Sequence, residues 1–277
     1  MRANMGTQAL MVYIERKPAP PLRSFVRSFW YMSAPRAEHR HERVLPSGCA
    51  HIVLSLSRDF LIDCLDGGSE RRTAPVLIVG QRSVYEIIAT ADLVDLAGVL
   101  FAPGALPALI ADRADLLSNR NIPLDLVWRG YADTLRSRML EGSSPQARLQ
   151  ILEDCLAATL LAGGANRRLN MHPAVRFALE QFARDSNRLS IAGVARSSGW
   201  SERRFSQLFR EQIGFAPKVW LRLQRFQRAV RQLQAGANVP WAELAIECGF
   251  YDQAHLANEF RSFSGIDLTT YIATRKE

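Results

Sequence analysis

IAGVARSSGWSERRFSQLFREQIG (Ile191–Gly214) and AELAIECGFYDQAHLANEFRSFSG (Ala242–Gly265) decide how this chain reads. Ala195-x-x-x-Gly199 recurs as Ala245-x-x-x-Gly249, and Phe209-x-x-x-x-Gly214 recurs as Phe260-x-x-x-x-Gly265. The shift is 50 residues and then 51, so the second copy carries one extra residue in its turn. Each copy spells a short helix, a tight turn at glycine and a longer helix, the helix-turn-helix plan. Glycine permits the turn, and the alanine ahead of it lets the two helices approach closely. Ser201 and Asp252 stand where side chains cap helix N-termini.

The faces of the two longer helices separate by role. Phe205, Leu208, Phe209 and Ile213 make the inward stripe of the first, and Leu256, Phe260 and Phe263 that of the second. Arg203, Ser206, Gln207 and Arg210 share another face of the first helix. Ala254, Ala257, Asn258 and Arg261 form the matching stripe of the second. Arginine, glutamine, asparagine and serine can read base edges, and alanine can meet a thymine methyl. Glu202, Glu211 and Glu259 flank these faces, where phosphate would repel them.

Around these units the signals stay helical. His172-Pro173 opens one helix, Ser190 caps a short one over 191–198, and Ser201 caps 202–213. Pro217 starts a long connecting helix to about Gln234, and Pro240 opens the next, ending at Gly249. Asp252 caps a helix ending near Gly265, and a last helix covers 268–274. The connecting helix carries Lys218, Arg222, Arg225, Arg228 and Arg231 and no acid. Spacing by three makes these arginines drift round the helix, so some face phosphate and others bridge to acidic groups in the protein.

The small, basic stretch Gly163–Arg168 reads as a linker and places the domain boundary. Ahead of it, Arg43–Leu56, Val76–Val79, Val84–Ala89 and Leu96–Phe101 read as strands, followed by helices over 124–139 and 144–162. Leu149, Leu152, Leu156 and Leu160 share one face of the second of these helices, a candidate dimer seam. The expected fold is therefore α+β in two domains. Residues 1–165 form a β-rich, small barrel-like sensor or assembly domain with trailing helices. Residues 166–277 form an all-α DNA-binding domain with helix-turn-helix units at about 189–214 and 239–265.

Charge supports that division. Of 277 residues, 35 are Lys or Arg and 27 Asp or Glu, a net +8. Residues 1–165 hold 18 basic against 17 acidic side chains, and residues 166–277 hold 17 against 10. A polyanion partner is thus indicated for the C-terminal part alone. The four cysteines are scattered and form no C-x-x-C pair. Leu96–Ala111, the longest apolar stretch, is interrupted by Pro103 and Pro107, and the N-terminus lacks a secretion core. A cytoplasmic, nucleoid-associated protein with no membrane partner is expected.

LSIAGVARSSGWSERRFSQLFREQIGFAPKVWL (Leu189–Leu221) and VPWAELAIECGFYDQAHLANEFRSFSGIDLTTY (Val239–Tyr271) resemble the double helix-turn-helix domain of AraC/XylS transcription regulators. The G-F-x-D-Q-x-H-x-x-x-x-F run at Gly249–Phe260 is the most characteristic part. The resemblance implies that 201–212 and 252–263 are recognition helices in successive major grooves. It places base reading on Arg203, Ser206, Gln207, Ala254 and Asn258; backbone contacts are expected from Arg204, Arg210, Arg225 and Arg261. Asn258 stands where an arginine is common, and Asp267-Leu268 replaces a usual proline. The N-terminal part resembles a domain often found ahead of such readers, through PPLRSFVRSFWYM (Pro20–Met32), Ile78–Gln81 and the Phe101–Gly104 turn.

Double-stranded DNA is the expected partner, with a homodimer expected and RNA polymerase and a small-molecule effector as candidates. No cofactor, metal or catalytic residue is expected, and the ligand-binding residues are unknown. His39, His41, Glu42 and His51 have the composition of a cupin-like metal site, but the polar stretch Arg36–Arg43 reads better as an exposed loop. Cys49 reads as core filler rather than a redox sensor, and Phe25, Phe29, Trp30 and Tyr31 as core rather than pocket lining. Two alternatives remain: a non-specific DNA-binding adaptor or architectural protein, and a metal-dependent cupin-like enzyme fused to a DNA reader. The clustered cysteines of alkyl-transfer repair proteins are absent from the sequence.

Overall fold

The computed structural model describes residues 11–20, 22–35, 39–64, 69–162, 171–184, 190–236 and 240–274. The linker expected at Gly163–Arg168 lies outside these residues.

The N-terminal part is built on two antiparallel sheets. The strands are β1 (Val12–Arg16), β2 (Val26–Ser33), β3 (His41–Val44), β4 (His51–Ser55) and β5 (Leu61–Cys64). They continue as β6 (Glu70–Thr73), β7 (Val76–Val79), β8 (Glu86–Ala89), β9 (Leu96–Phe101) and β10 (Asn121–Pro123). The six-stranded sheet has the order β1-β2-β9-β4-β7-β10, and the four-stranded sheet β3-β8-β5-β6. The barrel-like shape expected from sequence is thus realised as two facing sheets. The expected strands at 76–79 and 96–101 form at those bounds. The run 43–56 divides between β3 and β4, because Pro46-Ser47-Gly48 turns the chain between them.

Period-two alternation assigns the two faces of the larger sheet. Phe29 and Tyr31, Ile52 and Leu54, Val76 and Ile78, Val99 and Phe101 pack into the main core, beneath the helices. Their neighbours Trp30, Val53, Leu77 and Leu100 face the smaller sheet across a cavity. Trp30 therefore lines a pocket whereas Phe29 and Tyr31 are core, which corrects the grouping of all four aromatics as core.

Among the described residues, α1 (Leu106–Ile110) lies between β9 and β10, and α2 (Tyr131–Glu141) and α3 (Pro145–Ala162) trail the strands. The helix expected over 124–139 starts only at Tyr131, since a 3-10 turn at Leu124–Leu126 and a further turn through Gly130 precede it. Leu149, Leu152, Leu156 and Leu160 of α3 are at most 3% exposed, buried in the core beneath the sheet. The leucine face proposed as a dimer seam is consumed within the protomer.

The C-terminal part is helical: α4 (Pro173–Arg184), α5 (Ile191–Ser197), α6 (Glu202–Ile213), α7 (Pro217–Gln234), α8 (Trp241–Cys248), α9 (Gln253–Ser264) and α10 (Leu268–Thr274). Both repeat turns form as the spacing requires, with Gly199 at φ 77° and Gly249 at φ 86°, and with Ala195 and Ala245 fully buried beside them. One core joins the two units, with Phe226 of α7 against Phe260 and Phe263 of α9 at ring distances of 5.2 and 5.1 Å. No helix among the described residues is long and apolar enough to cross a membrane.

Candidate nucleic-acid interface

The N-terminal end of each longer helix is fixed by its own sequence. Ser201 Oγ accepts from the backbone N–H of Arg204 at 3.4 Å, and the Asp252 carboxylate accepts from that of His255 at 2.7 Å. Burial of Phe205, Phe209 and Ile213 on α6, and of Leu256, Phe260 and Phe263 on α9, sets the rotation of each helix. The polar stripes then face outward. Arg203, Arg204, Gln207 and Arg210 are exposed and Ser206 half-buried; Ala254, Asn258 and Arg261 are exposed and Ala257 half-buried.

Gln207 is held from both sides along its helix. Arg204 donates to its Oε1 at 3.2 Å, and its Nε2 donates to Glu211 at 2.9 Å. This fixes the amide on the outer face, where bidentate adenine recognition would need it. Glu211 in turn lies 3.8 Å from Arg113 of the N-terminal part.

The basic connecting helix contributes less free charge than its composition suggests. Arg222 makes two hydrogen bonds to Glu259 of α9, at 2.7 and 2.8 Å, which ties α7 to the second longer helix. Arg228 donates to the carbonyl of Cys248 at 3.4 Å. Arg225 is half-buried with its guanidinium 6.0 Å from the Phe250 ring centre, and burial lowers its pKa. The drift of arginines round α7 is thus used largely for joining helices.

Sequence reasoning missed the contacts that pin the N-terminal part to both longer helices. At the C-terminal end of α6, the Ser118 hydroxyl donates to the carbonyl of Gly214 at 2.7 Å, and Arg210 pairs with Asp115 at 3.2 Å. At the corresponding end of α9, Arg43 donates to the carbonyl of Ser264 at 2.8 Å, and the backbone N–H of Tyr85 donates to that of Phe263 at 2.9 Å. Arg43 also lies over the Tyr85 ring at 4.2 Å. Between these points, Gln227 of α7 donates to the Pro46 carbonyl. Partners separated by 95 to 221 residues leave no local trace in a sequence.

His39 faces Glu42 at 3.1 Å and His41 faces Glu70 at 2.9 Å, both exposed. His41–Arg43 belongs to β3, so this stretch is an exposed strand where a loop was expected. Among the described residues no group of three metal-ligating side chains comes together. Cys49 is 3% exposed, and burial raises its thiol pKa, which keeps it protonated.

Comparison with known proteins agrees with this geometry. Residues 194–274 match a family described as a helix-turn-helix domain, and residues 14–123 match a domain of unknown function (DUF6597). The HTH-type transcriptional activator AarP of Providencia stuartii is 28% identical over 86 residues, which are 31% of this chain and 63% of AarP. The chain thus spans less than two thirds of that curated relative. Among solved structures, the DNA-binding domain of AdpA in complex with a target DNA is 29% identical, covering 38% of this chain and 92% of that one, at a TM-score of 0.33. Unsaturated fatty acid-bound ToxT from Vibrio cholerae is 10% identical, covering 98% of this chain and 97% of that one, at 0.47.

Proposed function

We propose that this protein is a sequence-specific, DNA-binding transcription regulator of the AraC/XylS type, cytoplasmic and without enzymatic activity. Two helix-turn-helix units expose polar stripes in equivalent frames, and this observation carries the reading. Arg203, Ser206 and Gln207 of α6, and Ala254 and Asn258 of α9, would read bases in successive major grooves. Arg204, Arg210 and Arg261 would contact phosphate, with half-buried Arg225 at the margin. The N-terminal domain would sense an effector or hold a homodimer together, and RNA polymerase is a candidate partner at the promoter.

Selection of bound sequences from a random duplex pool, using the full chain, tests the reading. A bipartite motif with half-sites about one helical turn apart is the expected result. Salt-sensitive binding with no enriched motif would make the protein a non-specific adaptor.

Two variants separate base reading from backbone contact. Gln207→Ala should cost about 1–3 kcal/mol on the selected site and almost nothing on random DNA. Equal losses on both would refute its role. Arg210→Ala should weaken all sequences alike and reduce the salt slope by about 1. The Asp115 carboxylate competes with phosphate for Arg210. Asp115→Asn is therefore expected to tighten binding on every sequence by about two- to five-fold, since Arg210 lies at the surface and would be released towards phosphate. Unchanged affinity in a mobility-shift titration would show that Asp115 does not compete.

A further inference from the structure

We propose that the cavity between the two sheets binds an apolar molecule bearing a cationic, hydrogen-bond-donating end, that is, a lipophilic amine. The inference deepens the reading of the N-terminal domain as a sensor by naming the class of ligand it would take.

The cavity has a volume of about 420 Å³, within the range that houses small-molecule ligands. Its walls are apolar: Trp30, Val53, Leu77 and Leu100 on the larger sheet, Ile62 and Ile88 on the smaller. Facing sheets ordinarily interdigitate their side chains into a core. Here, among the described residues, the buried cluster is Leu61, Leu77 and Leu96, with Trp30, Met32 and Val53 only partly buried against it, whereas the helix-covered face of the same sheet carries the main core. The chain thus leaves unfilled a space that an apolar guest would fill. Gly98 lets the Trp30 ring lie against the larger sheet, because a Cβ there would fall 2.4 Å from that ring.

The polar groups fix the sign of the guest. Glu15, Asp63, Glu86 and Asp92 line the cavity, and no lysine or arginine does among the described residues. Arg71 pairs with Asp63 at 2.8 Å and Arg82 with Glu86 at 2.5 Å, yet neither guanidinium forms part of the lining. Asp92 is 5% exposed, and its Oδ2 accepts from the backbone N–H of Ile62 at 2.6 Å. Its Oδ1 is buried with no hydrogen-bond partner, the Arg58 guanidinium standing 3.6 Å away. A buried acceptor without a hydrogen bond is costly, and a donor on the ligand would supply one beside the Arg58 ion pair. His51, the lining imidazole, has its pKa lowered to about 4 by burial and by Arg82, so it carries no charge to hold an anion. A carboxylate guest would meet four lining carboxylates, three of them paired to Arg58, Arg71 or Arg82, and no lining cation, whereas an ammonium on an apolar chain meets acceptors at one end and apolar walls along its length.

Calorimetric titration of the full-length protein with decylamine, decanol and decanoate, each below its aggregation limit, tests the assignment. Decylamine should bind at least tenfold more tightly than decanol, and decanoate more weakly than either. Asp92→Asn retains an acceptor for Ile62 and should remove most of the preference for amine over alcohol while alcohol binding persists. Glu86→Gln is the second variant if the first does not fold. Val53→Trp, which fills the cavity, should abolish binding of all three. Decanoate binding as tightly as decylamine, an unchanged amine preference in both folded acid variants, amine binding that survives Val53→Trp, or no binding to folded protein would each overturn the proposal. The titration contains no DNA, so failure here leaves the selection result standing. The reverse failure, in the selection experiment, leaves the ligand assignment standing.

Discussion

Phe226→Ala is expected to destabilise the C-terminal domain by about 3–5 kcal/mol, the cost of removing a large buried aromatic ring and leaving its cavity. Phe226 is fully buried on the connecting helix, against Phe260 and Phe263 of the second unit. The loss is a large share of the stability of an ordinary domain. Urea unfolding at neutral pH measures it directly. Both halves of the DNA site should lose protection together in footprinting, because the two units share this core. Loss at one half-site alone would show that the units unfold independently. A change below about 1 kcal/mol would mean that the ring's neighbours collapse into the gap.

Acidification supplies the second large effect. His51 begins β4 at the edge of the intersheet cavity, with Ser47 Oγ 3.2 Å from its ring nitrogen. Burial, and then the positive charge of Arg82, hold its pKa at about 4 against 6.5 for a free imidazole. The neutral form is thus the one the fold accommodates. Above pH 6.5 both folded and unfolded chains keep His51 neutral, and the stability is fully present. Between pH 6.5 and 4 the unfolded chain takes up a proton that the folded chain refuses, so stability falls with pH. The expected loss is about 2–3 kcal/mol by pH 4.5. His51→Gln should flatten this part of the pH–stability curve. A variant with the wild-type slope would assign the acid sensitivity to other groups.

The sequence is most informative where structure is local. Helix starts at Ser190, Ser201 and Asp252 announce themselves through side chains that bond backbone N–H groups three residues on. The repeat doubles every such signal, so the C-terminal helices were legible almost to the residue. Strands were legible where apolar runs are buried, as at Val76–Val79. They were missed where pairing alone makes them, as in β6, whose Glu70–Thr73 is polar and held by its partner β5. The candidate site divides in the same way. Which side chains point outward follows from helical periodicity, but that Arg222 bonds Glu259 and Arg210 bonds Asp115 does not, because those pairings depend on how separate elements pack. The cavity was illegible for a related reason. Alternation shows which residues leave the core face, not whether anything fills the space they enter.

The pins at Gly214 and Ser264 have a consequence for how such proteins can be recombined. Each pin joins one end of a longer helix to a different part of the N-terminal domain, Ser118 in one case and Arg43 of β3 with Tyr85 in the other. The two halves are therefore matched parts, and grafting the C-terminal half onto a foreign N-terminal domain would discard both attachments at once. A transplant that keeps its native spacing preference would have to carry Arg43, Tyr85 and Ser118 with it. The placement of both longer helices thus depends on residues that lie outside the helix-turn-helix units.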